Sequence, residues 1–408
     1  MITIVKGGVT KAMGFEAASC AAGLKYEGRE DMALVYSKVP CRAAGTFTTN
    51  IVKAAPVKWD QKIINERGEA SAIIVNSGIA NACTGKEGMD CCEKTAAAAA
   101  AALKISEEDV LIGSTGVIGK QMPVGKLTAG IEELAKKKAH SVESGTKAAM
   151  AIKTTDTCEK EMAVEFEIQG VKVTLGGMAK GSGMIHPNMC TMLAFLTTDA
   201  KISKTALQKA LGEDIKDTYN MISVDGDTST NDTVILLANG LAENEEIKEG
   251  TEEYQIFVKA LHMVNTYLAK KIAGDGEGAT ALFEVEVVGA QDKKQAQTLA
   301  KSIVCSNLTK TAIAGHDANW GRILCAMGYA GVDFDPEKVD LYFESKAGKI
   351  QIIANGVAID YSEEKATKIL SEKEVKAITD LHLGEAKGTA WGCDLTHGYI
   401  EINADYRS

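Results

Sequence analysis

The chain has 408 residues, of which 45 are Lys or Arg and 55 are Asp or Glu, giving a formal charge of −10; 45% are hydrophobic and 25% charged. That is the composition of an ordinary globular protein with length for two or three domains, which excludes a disordered chain or a fibre. The acidic balance, with no large Lys/Arg cluster, excludes a broad polyanion-binding surface, so nucleic acid is not an expected partner.

The start, Met1-Ile-Thr-Ile-Val-Lys-Gly-Gly8, lacks an apolar core followed by a small-residue cleavage site, and no stretch of about 18 apolar residues follows. A cytoplasmic location away from membranes is expected. The 10 cysteines include no C-x-x-C, so reduced thiols are expected rather than a zinc site or a redox dithiol.

In chain order, residues 71–75 read as a strand, 91–103 as a buried helix built on seven consecutive alanines, and 110–112 as a strand. A helical pattern from Ile131 ends in Lys136-Lys-Lys138, where cations complement the helix dipole. Residues 171–175 alternate as a strand, then break into Gly176-Gly-Met-Ala-Lys-Gly-Ser-Gly183, and an apolar run resumes over 192–196. A strand at 282–288, a helix at 292–306 and strands at 339–343 and 350–353 predict a smaller C-terminal α/β unit with its boundary near Gly289. The fold class is mixed α/β, with layered sheets and helices.

The segment richest in chemistry is 180–195, which places glycines, a proline and a threonine at the mouth of a strand. Thr191 reads most simply as a strand residue. A glycine-permitted backbone can also press its hydroxyl against the Cys190 carbonyl, and cleavage there would give Thr191 a free amine able to serve as its own base. In Gly113-Ser-Thr-Gly-Val-Ile-Gly119, five residues rather than four separate the outer glycines, and Gln121 stands where a phosphate loop needs Ser or Thr. Its backbone suits an oxyanion hole or merely a tight turn.

Gly274-Asp-Gly-Glu-Gly-Ala-Thr280 offers a carboxylate that can meet an ammonium group. Asp225-Gly-Asp-Thr-Ser-Thr-Asn-Asp232 looks calcium-like but has its glycine in the wrong place. The six histidines form no metal motif; His186 either tunes protons near Thr191 or holds a loop, and His316 lies in a polar stretch with a rare Trp.

Taken together, Ala43-Ala-Gly-Thr-Phe-Thr-Thr-Asn50, Asn76-Ser-Gly-Ile-Ala-Asn-Ala-Cys-Thr-Gly85, segments 113–119, 180–199 and 223–232, Gly315-His-Asp-Ala-Asn-Trp-Gly-Arg-Ile323 and Glu401-Ile-Asn-Ala-Asp-Tyr-Arg-Ser408 resemble the ornithine acetyltransferase (glutamate N-acetyltransferase) family of arginine biosynthesis. The resemblance implies self-cleavage between Cys190 and Thr191 into an α chain of 1–190 and a β chain of 191–408. Within the latter, 191–288 would complete the catalytic core and 289–408 form the C-terminal unit.

The resemblance also implies Thr191 as nucleophile, Thr115 and Gly116 as the oxyanion hole, and substrate contacts from Thr154, Thr155, Lys180, Thr191, Glu277, Asn403 and Ser408. Acetyl would pass from N2-acetylornithine to Thr191 and then to glutamate, releasing ornithine and N-acetylglutamate. No cofactor or metal is implied; acetyl-CoA as a second donor is left open, and the assembly expected is a heterotetramer of two α and two β chains. The sequence departs from the family pattern at Ile79, His186 and Cys190. The alternative is a self-cleaving aminopeptidase or amide hydrolase of related fold, which would pass the acyl group to water.

Overall fold

The computed structural model describes residues 1–186 and 192–405. Among them, nine strands form one sheet: β1 (Thr3–Val5), β2 (Phe15–Cys20), β3 (Met32–Phe47), β4 (Glu69–Ile79), β5 (Val110–Val117), β6 (Lys160–Ile168), β7 (Val171–Lys180), β8 (Leu193–Thr198) and β9 (Thr233–Ala238). The order is β1-β6-β7-β8-β9-β3-β4-β5, with β2 paired to β3. The β4–β5 and β8–β9 pairs are parallel.

Both faces of this sheet are covered, so its inner strands read as continuous apolar runs. Along β8, Leu193 and Phe195 join one hydrophobic cluster while Ala194 and Leu196 join another. In β9, Ile235 and Leu237 face the first cluster and Val234 and Leu236 the second. The alanine-rich helix is Gly85–Leu103, and its small buried residues Ala96 and Ala99 pack with Ile74 of β4.

A second sheet has six strands, β10 (Leu282–Ala290), β11 (Asp340–Ser345), β12 (Gly348–Ala354), β13 (Val357–Ala358), β14 (Glu374–Asp380) and β15 (Ala386–Cys393), in the order β13-β12-β11-β14-β10-β15. Gly289 lies inside β10, so the smaller sheet begins at Leu282, ahead of the expected boundary. The helix Glu252–Gly274 joins the two sheets: its Phe257, Val264 and Leu268 share one apolar cluster with Leu175 of β7 and with Phe283 and Val285 of β10.

The glycine run at 176–183 does not break the strand where expected. β7 continues to Lys180, paired to β6 on one side and β8 on the other. These glycines permit close approach rather than a turn: a Cβ on Gly176 would stand 2.2 Å from the Gly8 carbonyl oxygen. Among the described residues no helix is long and apolar enough to cross a membrane.

Candidate active site

The parallel ends of β4 and β5 meet glycine to glycine. Gly78 pairs with Gly116, both have positive φ (101° and 126°), and a Cβ on Gly116 would come within 2.2 Å of the Gly78 carbonyl carbon. Only glycine at 116 allows this approach without strain. Side chains hold the bend. Asn76 donates to the Ile79 carbonyl at 2.8 Å and accepts from Ser114 Oγ at 2.7 Å, while Asn231 Nδ2 donates to the carbonyls of Ala80 (2.6 Å) and Ser114 (2.8 Å).

Lys180 ends β7 and is buried. Its ammonium donates to Thr154 Oγ1 at 3.0 Å and Thr115 Oγ1 at 3.3 Å, and stands 4.0 Å from Asp156 Oδ2. Because Thr115 Oγ1 accepts from a cation, its own proton is free to point elsewhere, as an oxyanion donor must. Burial pushes the Lys180 ammonium below its ordinary pKa, against the pull of Asp156.

Asp156 accepts from the Thr154 N–H (3.1 Å), the Gly181 N–H (2.6 Å) and Lys160 Nζ (2.7 Å). Burial opposes its ionisation, but Lys180, Lys160 and the Gly181 N–H outweigh burial and hold it below the usual carboxylate range. Lys160 also reaches Asp275 Oδ2 at 2.5 Å, and the side chains of Lys160 and Asp156 are fully buried.

Just before β9 lies a second buried acid. Asp232 is 1% exposed, lines the same cavity, and its Oδ2 has no hydrogen-bond partner among the described residues. Burial drives its carboxyl well above the usual range, and contacts from Ser229, Lys180, Thr48 and the Met192 N–H do not offset that. Burial thus prevails over the partners of Asp232, whereas the partners of Asp156 prevail over burial.

The last wall comes from the C-terminal helix His397–Asp405, whose Asn403 donates to Glu277 Oε2 at 2.7 Å. Gly183 makes room for that carboxyl: a Cβ there would lie 2.3 Å from it. The resulting cavity is about 280 Å³ and is lined by Thr115, Gly116, Thr154, Thr155, Lys180, Glu277 and Asn403, with Met192, Asn231 and Asp232 among the others. A volume near the low end of the ~300–1,000 Å³ usual for ligand pockets suits an amino-acid-sized molecule. A buried cation and a carboxylate in one small cavity are what a zwitterion requires.

Seven of the expected site residues thus meet in one cavity, although they come from positions 115 to 403. Cys190, Thr191 and Ser408 lie outside the described residues; Met192, which follows Thr191, is at the cavity wall. His186 is not in the lining. Its Nδ1 faces Ser223 Oγ (3.1 Å) and Cys305 Sγ (3.5 Å), and burial with Lys301 pushes its pKa down to about 4. His316 is exposed in the turn between helices Asn307–Ala314 and Trp320–Gly328, outside the cavity lining. The calcium-like loop serves as a brace: Asp225 accepts from the N–H groups of Met184 and Ile185.

Sequence reasoning missed Asp156, Lys160, Asp275, Asn231 and Asp232. Lys160 and Asp232 carried a signal, since period-two alternation puts Lys160 in phase with buried Met162, Val164, Phe166 and Ile168, and Asp232 in phase with Val234 and Leu236.

The ArgJ family model matches residues 16–408 of the chain. An arginine biosynthesis bifunctional protein ArgJ from Thermotoga neapolitana is 52% identical over 396 residues, covering 97% of this chain and 99% of the relative. The protein of the same description from Caldanaerobacter subterraneus subsp. tengcongensis is 50% identical over 405 residues, covering 99% and 100%. Among solved structures, arginine biosynthesis bifunctional protein argJ from Bacillus halodurans matches at 49% identity with a TM-score of 0.51, over 53% of this chain and 100% of that one.

Proposed function

We infer the activity from one premise: this chain belongs to the ArgJ family, and it is an acetyltransferase of arginine biosynthesis that moves acetyl from N2-acetylornithine to glutamate. The observation that carries the reading to the residues is the convergence of Thr115, Gly116, Thr154, Thr155, Lys180, Glu277 and Asn403 on one cavity beside Met192.

Thr191 is the nucleophile in this proposal. After cleavage of the Cys190–Thr191 bond its new α-amine, with an ordinary pKa near ~7.7–8.0, takes the hydroxyl proton as Oγ attacks the acetyl carbonyl. The oxyanion is met at Thr115 and Gly116. The C–N bond then breaks, the proton passes to the departing ornithine amine, and an acetyl ester remains. The glutamate amine attacks that ester, N-acetylglutamate leaves, and the threonine hydroxyl recovers a proton.

Lys180 suits a substrate carboxylate and Glu277, held by Asn403, suits the ornithine ammonium. The relatives are named bifunctional, and the proposal extends to acetyl-CoA as a second acetyl donor. The solved argJ chain, covered completely by 53% of this one, supports cleavage, because residues 191–408 make up that same share.

Intact mass of the purified protein tests the nucleophile. The wild type should give pieces of 190 and 218 residues and Thr191→Ala a single chain of 408. An active wild type that stays uncut would overturn the mechanism. Incubation of glutamate with acetyl-CoA, omitting N2-acetylornithine, tests the second donor by N-acetylglutamate formation.

A further inference from the structure

Cleavage at residue 190 raises a geometric problem. Lys180 and Glu277 fall on opposite sides of the cut, so once the chain is severed their spacing has to be carried by contacts rather than by the backbone between them. Lys160 touches both sides. Its Nζ is 2.7 Å from Asp156 Oδ1 and 2.5 Å from Asp275 Oδ2, and its side chain is fully buried outside the cavity lining.

Asp156 organises the side before the cut, and Asp275, from beyond it, reaches back across the seam. Asp156 takes the N–H groups of Thr154 and Gly181, the neighbours of Thr155 and Lys180. Asp275 takes the N–H of Thr157 at 3.1 Å, and its carbonyl accepts from Ser182 Oγ at 2.6 Å; the Ser182 carbonyl in turn accepts from the Glu277 N–H at 3.0 Å. We propose that Lys160 is a positioning residue that fixes the distance between Lys180 and Glu277 across the cleavage seam by bridging Asp156 to Asp275. This rests on the acetyl-transfer reading above.

The charges explain why a cation is needed at that point. Without Lys160, Asp275 loses its ion pair and Asp156 keeps Lys180 as a charged neighbour. Lys180 is already 4.0 Å from Asp156 and would be drawn toward it, away from the position of a substrate carboxylate. Both substrates use the same cavity, so both should bind less well, while the reacting groups around Thr115 keep their own supports from Asn76 and Asn231.

The test is steady-state kinetics of Lys160→Met and of the double variant Lys160→Met/Asp275→Asn, with thermal denaturation of each. The single variant should raise KM for N2-acetylornithine and for glutamate by roughly tenfold, with kcat changed by less than about threefold, as loss of positioned binding does. The double variant removes the unpaired carboxylate, so it should regain much of the melting temperature but none of the KM. Wild-type KM values in either variant would overturn the proposal, a recovered KM in the double variant showing that Lys160 serves stability alone. A wild-type protein that does not acetylate glutamate would instead overturn the function on which the proposal rests.

Discussion

On the β7 side of the cavity the carboxyl of Asp156 is held below its usual pKa range, and on the β9 side that of Asp232 is held above it, although both are buried aspartates near the same Lys180. The difference lies in the supply of partners. Asp156 has two lysines and two backbone N–H groups, enough to outweigh burial, whereas Asp232 has an oxygen with no hydrogen-bond partner among the described residues. Burial sets the cost of a charge, and the neighbouring cations decide whether it is met. The consequence is functional, because an ionised Asp232 would add a negative charge to a cavity that, on the proposed reading, admits glutamate with its two carboxylates.

The comparison breaks most visibly at Asp156. Asp156→Leu strips one of two carboxylates from buried Lys160 and the acceptor from two backbone N–H groups, and should cost about 3–5 kcal/mol, measured by chemical denaturation. A loss below about 1 kcal/mol would put Asp156 on the same footing as Asp232.

Lys180, shared by both acids, comes next. Lys180→Ala should lower kcat/KM for both substrates by an amount equivalent to about 1.5–3 kcal/mol, a charge-assisted hydrogen bond, with the larger change in KM. Unchanged kinetics would remove its binding role.

The turn of β5 offers a wall with no buried charge, as a control. Gly116→Ala places a Cβ against Gly78 at positive φ, so about 1–3 kcal/mol of strain is expected together with a fall in kcat rather than a rise in KM. Wild-type kcat would separate that turn from oxyanion stabilisation.

The smallest effect sharpens the contrast by pH. The depressed pKa of Asp156 contributes stability that is present above its unfolded value near ~3.9 and lost as pH falls; the raised pKa of Asp232 contributes stability that is full below ~3.9 and lost as pH rises toward its folded value. Asp232→Asn should therefore flatten the decline of unfolding free energy as pH rises above ~3.9, measured by chemical denaturation across pH. A profile that keeps the wild-type slope would mean that Asp232 is ionised in the folded protein.

Strand and helix positions were legible because side-chain periodicity is a local property. Residues 71–75 and 91–103 fall inside β4 and the helix Gly85–Leu103, and the apolar run at 192–196 overlaps β8. The glycines at 176–177 misled because a glycine needed for close packing and one needed for a turn look the same in a sequence; only the neighbouring Gly8 carbonyl distinguishes them. Among the described positions, Thr115, Gly116, Thr154, Thr155, Lys180, Glu277 and Asn403 were named from motifs, and their meeting in one cavity became visible only in three dimensions.

By itself the sequence determined the alternation that covers both faces of β8 and β9, the glycine that lets β4 and β5 close at Gly116, and, through its motifs, membership of the family. Tertiary structure alone decided that Lys160 meets Asp275, 115 residues away, and that among the described residues Asp232 forms no ion pair like that of Asp156 with Lys160. The physical reason is that a buried charge depends on partners within a few ångströms in a medium of low dielectric, and the fold, not the order of residues along the chain, brings those partners within reach.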